Sequence, residues 1–137
     1  MRPFLIALVF ALVGGSALAL DEAAALSVRG AIEGQIAAFR RDDATGAYAQ
    51  ASPMIQQMFP SPDGFMAMVR QSYRPVYRPG SYVFGDSQET PDGVAQSVRI
   101  VDAEGVAWEA AYTLQRQPDG SWKISGCTLV KLPGDSV

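Results

Sequence analysis

Residues 81–131 read SYVFGDSQETPDGVAQSVRIVDAEGVAWEAAYTLQRQPDGSWKISGCTLVK, and three short breaks inside this stretch decide the fold. Pro91-Asp92-Gly93, Ala103-Glu104-Gly105 and Pro118-Asp119-Gly120 each end in glycine, the residue that takes positive φ without steric strain. The runs between them have the length and alternation of strands. The spacing therefore predicts a four-stranded antiparallel meander.

Read as three-residue loops, the breaks also set the register. The second pairs Asp102 with Val106, Ile100 with Trp108, Val98 with Ala110 and Gln96 with Tyr112; the third pairs Arg116 with Trp122, Leu114 with Ile124 and Tyr112 with Gly126. One face then carries Val98, Ile100, Trp108, Tyr112, Leu114, Trp122, Ile124 and Val130, joined by Tyr82 and Phe84 from the first strand. The other face pairs Arg99 with Glu109, Ser97 and Cys127 with Ala111, Thr113 with Ser125 and Gln115 with Lys123, and it includes Val83, Val101, Ala107 and Leu129. So many apolar groups on a face turned away from the helices suit a second subunit, and a homodimer through the face bearing Cys127 is expected.

Upstream, Val28, Ile32, Ile36 and Phe39 recur at helical spacing, which predicts a long helix ending near Asp42-Asp43. A short helix bearing Tyr48 follows over residues 44–51. Ser52-Pro53 and Ser61-Pro62 then repeat one start signal, an N-capping hydroxyl followed by a proline that gives up only an unpartnered amide. Tyr73-Arg74-Pro75-Val76-Tyr77-Arg78-Pro79 reads as an extended connector that sets Tyr73 and Tyr77 on one side and Arg74 and Arg78 on another. The fold class is α+β, helices first and sheet second.

The chain opens with Met1-Arg2, an apolar run from Phe4 to Val13, Gly14-Gly15 and Ala17-Leu18-Ala19, the pattern of a secretory signal peptide cut after Ala19. Export to the periplasm or medium, without membrane insertion after cleavage, is the expectation. Removing the first 19 of 137 residues leaves 118, enough for a single domain over residues 20–137. Loss of Arg2 leaves 10 scattered basic residues against 14 acidic ones, a balance that disfavours nucleic acid and anionic membranes as partners. Cys127 is the single cysteine and there is no histidine. Nucleophile–histidine pairs, histidine-ligated metals and thiolate clusters are thereby excluded, and neither cofactor nor metal is expected. Cys127 itself is read as a buried thiol, with an intermolecular link as the alternative.

Short segments carry a resemblance. Ala38-Phe39-Arg40-Arg41-Asp42-Asp43, Ala51-Ser52-Pro53, Met66-Ala67-Met68-Val69-Arg70, Pro75-Val76-Tyr77-Arg78-Pro79, Trp108-Glu109-Ala110 and, most specifically, residues 117–127 (Gln117 to Cys127) resemble the exported bacterial family called domain of unknown function 4864. The order of elements is similar to the nuclear-transport-factor-two-like, or cystatin-like, cone. That resemblance implies a curved sheet wrapped around the first helix and assigns no reaction. Enzymes of the cone superfamily use an acid or a histidine with tyrosine inside the cone, and no motif here carries such an acid onto a position of this chain.

Asp86 is the candidate for a buried acid, because the first hairpin read as a three-residue loop sets it across from Val98 on the helix side; an acid held among apolar groups could act as a general base. The alternative is a solvated Asp86 where the strand frays at Gly85. Tyr48, Phe65, Trp108, Tyr112 and Trp122 are candidate walls of a pocket for a flat apolar ligand, against the alternative of simple core packing. Tyr73, Tyr77 and Arg78 are candidates for its entrance, against a stiff linker. Arg116 across from Trp122 reads as a structural cation–π contact. The expected role is non-catalytic binding of a small apolar or amphipathic ligand, or of a partner protein. The alternative is a cofactor-independent isomerase, cyclase or hydrolase built on a buried carboxylate and tyrosine.

Overall fold

The computed structural model describes residues 20–134; the expected signal peptide lies outside them. Helix α1 (Glu22–Arg40) carries the stripe read from sequence, with Val28, Ile32, Ile36 and Phe39 each at most 1% exposed. Asp21 caps it by accepting a hydrogen bond from the Ala24 amide. The helix stops at a residue in the left-handed region, Asp42 (φ 55°), whose amide donates to Phe39 while the Asp43 amide reaches back to Ala38. These are the two bonds of a Schellman ending, and they satisfy carbonyls the last turn leaves free.

Helices α2 (Ala44–Ala49), α3 (Pro53–Met58) and α4 (Pro62–Ser72) follow, capped by the side chains of Asp43, Ser52 and Ser61. Tyr73–Pro79 departs from the expected extended connector. Arg74–Tyr77 closes one helical turn, α5, because Pro75 lies within its first turn, where a missing amide breaks no bond. Tyr73 is half-buried, Tyr77 buried and Arg74 exposed.

Strands β1 (Pro79–Thr90), β2 (Gly93–Asp102), β3 (Ala107–Arg116) and β4 (Trp122–Lys131) form one antiparallel sheet in the order β1-β2-β3-β4. The β2–β3 register is the expected one, with Ile100 opposite Trp108 and Gln96 opposite Tyr112. Gly105 (φ 85°) and Gly120 (φ 89°) take the positive φ on which that reading rests.

Two register readings are corrected, both at a glycine inside a strand. In the first hairpin Thr90 pairs with Gly93, so the loop is only Pro91-Asp92. A Cβ on Gly93 would sit 2.0 Å from the Leu114 carbonyl oxygen, so this glycine serves a close approach to β3 instead of a left-handed loop position. A bulge between Phe84 and Ser87 then sets Phe84 opposite Val98 and leaves Asp86 exposed. Asp86 is therefore not a buried acid.

The second bulge falls between Ile124 and Gly126 on β4, so Tyr112 pairs with Cys127 and Ala111 with Thr128. One extra residue swaps the faces of everything after it. Cys127 and Leu129 turn inward against the core, and Val130 turns out to 55% exposure. The outer sheet face does not bear Cys127, which removes the residue on which the expected dimer contact was drawn.

The helices cover the inner sheet face, and Phe39, Ile36, Val98, Ile100, Tyr112 and Leu114 are at the centre of one continuous core. Tyr82, Phe84, Trp108 and Trp122 pack at its margin, half-buried. At the β4 edge, Ala51 forms a parallel bridge with Ile124: the Ile124 amide donates to Gln50 and the Ser52 amide to Ile124, each at 2.8 Å. That bridge fixes the α2–α3 link, and with it α3, against the sheet. No helix among the described residues is long and apolar enough to cross a membrane.

Candidate functional site

Between the helices and the β3–β4 half of the sheet lies a cavity of about 200 Å³. Its floor is Tyr112, Ile124, Gly126 and Cys127; Gln35 and Phe39 of α1, Phe65, Met68 and Val69 of α4, with Tyr73 and Val76, form the walls. Ala51, Ile55, Met58 and Phe59 close the remaining side. None of these side chains is charged.

The mouth is built on α3, a helix with no buried residue. Met58 is 61% exposed there. Tyr48 holds the helix in place: its single hydroxyl proton is shared between the carbonyls of Phe59 (2.6 Å) and Gln56 (3.1 Å), and the Gln56 amide returns a bond to the Tyr48 carbonyl at 2.9 Å. Phe65 stands behind the mouth, its ring centroid 5.8 Å from that of Tyr48, 6.4 Å from Phe59 and 6.3 Å from Phe39. Such offset and edge contacts orient the rings as well as burying them.

Two floor groups are chemically distinctive. Tyr112 is 1% exposed and its hydroxyl has no hydrogen-bond partner. Burial, with smaller contributions from neighbouring Cys127 and Tyr82, holds this phenol well above its usual range, so it stays protonated and remains a donor. Desolvation also pushes the Cys127 thiol up to about 12. At neutral pH it is a weakly polar, unreactive thiol.

Of the candidate ligand residues, Phe65, Tyr73 and Tyr112 are brought together on the cavity. Tyr48 acts one layer back, on α3. Tyr77 is a core residue whose hydroxyl donates to Asp42, and Arg78 caps it, its guanidinium carbon 4.1 Å from the ring centroid and one nitrogen 2.9 Å from the Asp42 carboxylate. Trp108 is at the far end of the sheet, where its indole donates to Asp102 at 3.0 Å beside a second pocket of about 300 Å³ that also touches Arg74 and Arg78. Trp122 packs against Arg116 at 5.5 Å, as read from sequence, away from the cavity. The other twelve lining residues, Met58, Met68, Val69 and Cys127 among them, are outside the set expected from sequence. The i, i+3, i+4 spacing of Phe65, Met68 and Val69 was a usable signal for one wall; Cys127 depended on the bulge.

No group of three or more His, Cys, Asp or Glu side chains among the described residues is arranged to hold a metal. Arg99 and Glu109 form the expected cross-strand ion pair at 3.5 Å on the outer face, where both are solvated and the pair adds little.

The fold is thus α+β, with a cavity of uncharged lining between the helices and the antiparallel meander. The chain belongs to the family described as "Domain of unknown function (DUF4864)", whose model matches residues 21–137. No curated protein and no solved structure matches it.

Proposed function

We propose that this protein is exported, with its leader cut after Ala19, and binds a small apolar molecule in the cavity between α1, α3, α4 and the β3–β4 sheet without transforming it. The observation that carries this reading is the lining: fifteen residues, none charged, open to solvent beside a mobile-natured methionine at the mouth. A cavity of about 150 Å³ lined by aliphatic and aromatic groups holds benzene. One of about 200 Å³ suits a ring with a short substituent or a short acyl chain. The acid–base alternative needs a carboxylate within reach of the Tyr112 hydroxyl, and no Asp or Glu lines the cavity. Asp21 at the N-cap of α1 is retained by a cut after Ala19, so export leaves the fold whole.

Calorimetric titration with ethylbenzene tests the reading. Binding with a dissociation constant of about 1 mM or tighter and a negative heat-capacity change is expected, and Met68→Trp, which fills the space from the half-buried wall, should abolish it. Absence of binding to the wild-type chain up to the solubility limit would contradict it.

A further inference from the structure

We propose that the molecule received by the cavity is neutral and carries one acceptor-only group, a ketone, aldehyde or ester carbonyl, which takes the proton of the Tyr112 hydroxyl in a hydrogen bond. This rests on the cavity being a binding site and narrows what it binds.

Three observations combine. Tyr112 is on the floor of the cavity, 1% exposed, and its hydroxyl is without a partner, although a buried hydroxyl ordinarily has one. The other polar side chains on the walls are partly committed or weak: one N–H of the Gln35 amide donates to the Ala47 carbonyl at 3.1 Å, and Cys127 offers only a thiol. No cation or anion lines the space.

The chemistry of the guest follows. A carboxylate or an ammonium would enter without a counter-charge, and desolvating an ion uncompensated is far more costly than one hydrogen bond returns. A pure hydrocarbon would leave the phenol unpaired. An alcohol would satisfy the phenol but bring a second donor needing its own acceptor. A carbonyl accepts and donates nothing, so it pairs the buried phenol without bringing a donor of its own.

Calorimetry on the whole chain and on Tyr112→Phe with three probes of one shape tests this: acetophenone, ethylbenzene and benzoate. The substitution should weaken acetophenone about tenfold and leave ethylbenzene within twofold, and wild-type protein should bind benzoate at least about a hundredfold more weakly than acetophenone. Retained ethylbenzene binding also reports that the variant is folded. If Tyr112→Phe leaves acetophenone unchanged, or weakens both neutral probes equally, the carbonyl contact is overturned while the cavity reading stands; benzoate binding as tightly as acetophenone overturns neutrality. If neither neutral probe binds wild-type protein, the cavity reading fails, and the inference with it.

Discussion

The Asp42 carboxylate accepts a hydrogen bond from the hydroxyl of Tyr77, 35 residues further along the chain. One nitrogen of Arg78 reaches both Asp42 oxygens, at 2.9 and 3.0 Å, so the C-terminal end of α1 is clipped to α5. Glycine would take the left-handed turn more easily, but it could not make the clip.

The Tyr77 hydrogen bond first, then those from Arg78, hold the Asp42 carboxyl below its ordinary value. A depressed folded-state value stabilises the fold above the unfolded value, near 3.8, and that stabilisation is lost as pH falls through the folded one. Asp42→Asn keeps a residue that tolerates positive φ and removes the charge. The thermal midpoint of the wild type should fall as pH drops from 5 to 3, and the variant should start lower at pH 7 and fall less. Asp43, Asp102 and Asp119 are lowered too, so a residual slope remains. Parallel pH profiles for the two proteins would contradict the clip.

Glycines in two settings should respond with opposite sign to alanine. Gly30 is exposed within α1 and a Cβ there meets nothing within 4 Å. Gly30→Ala should stabilise the protein by about 0.5–1 kcal/mol through helix propensity. Gly93→Ala places a methyl 2.0 Å from the Leu114 carbonyl and should destabilise by roughly 2–3 kcal/mol, read from urea midpoints.

Removing one hydroxyl should loosen the cavity mouth. Tyr48→Phe deletes the shared hydrogen bond to the end of α3, a loss of about 1 kcal/mol in global stability. Amide exchange at Phe59, whose N–H donates to Ile55 at 2.9 Å, should speed up more than exchange in the α1 core. Uniform acceleration would mean that Tyr48 acts on the whole fold.

Cys127, inward-facing and with its thiol pushed up to about 12, should react with iodoacetamide at pH 8 at least about a hundredfold more slowly in native protein than in urea. Because it lines the cavity, saturating ethylbenzene should slow it further. Prompt native labelling, or a disulfide-linked dimer under non-reducing conditions, would place the thiol at the surface.

Local chemistry made much of the fold legible. Ser52-Pro53 and Ser61-Pro62 start helices because capping is decided within four residues, and the β2–β3 register follows from one left-handed glycine at position 105. The errors come from glycines with non-local reasons. Gly93 answers to Leu114, and Gly126 to Thr113, whose Oγ1 would be 3.0 Å from an added Cβ; a strand glycine beside a polar residue, as in Gly85-Asp86 and Ser125-Gly126, was the available sign of each bulge. The site was less legible. Composition supplies aromatic rings but not their neighbours: Tyr77 and Tyr112 look alike in sequence, yet one hydroxyl meets Asp42 and the other meets nothing.

Methyl NMR of methionine-labelled protein, titrated with ethylbenzene, tests the central claim most directly. Met58 and Met68 line the cavity, whereas Met54, exposed, and Met66, buried, do not, so the chain carries its own controls. Saturable shifts of Met58 and Met68 with Met54 and Met66 unmoved are predicted. Silence at all four, or a response centred on Met54, would contradict a ligand-binding cavity between the helices and β3–β4.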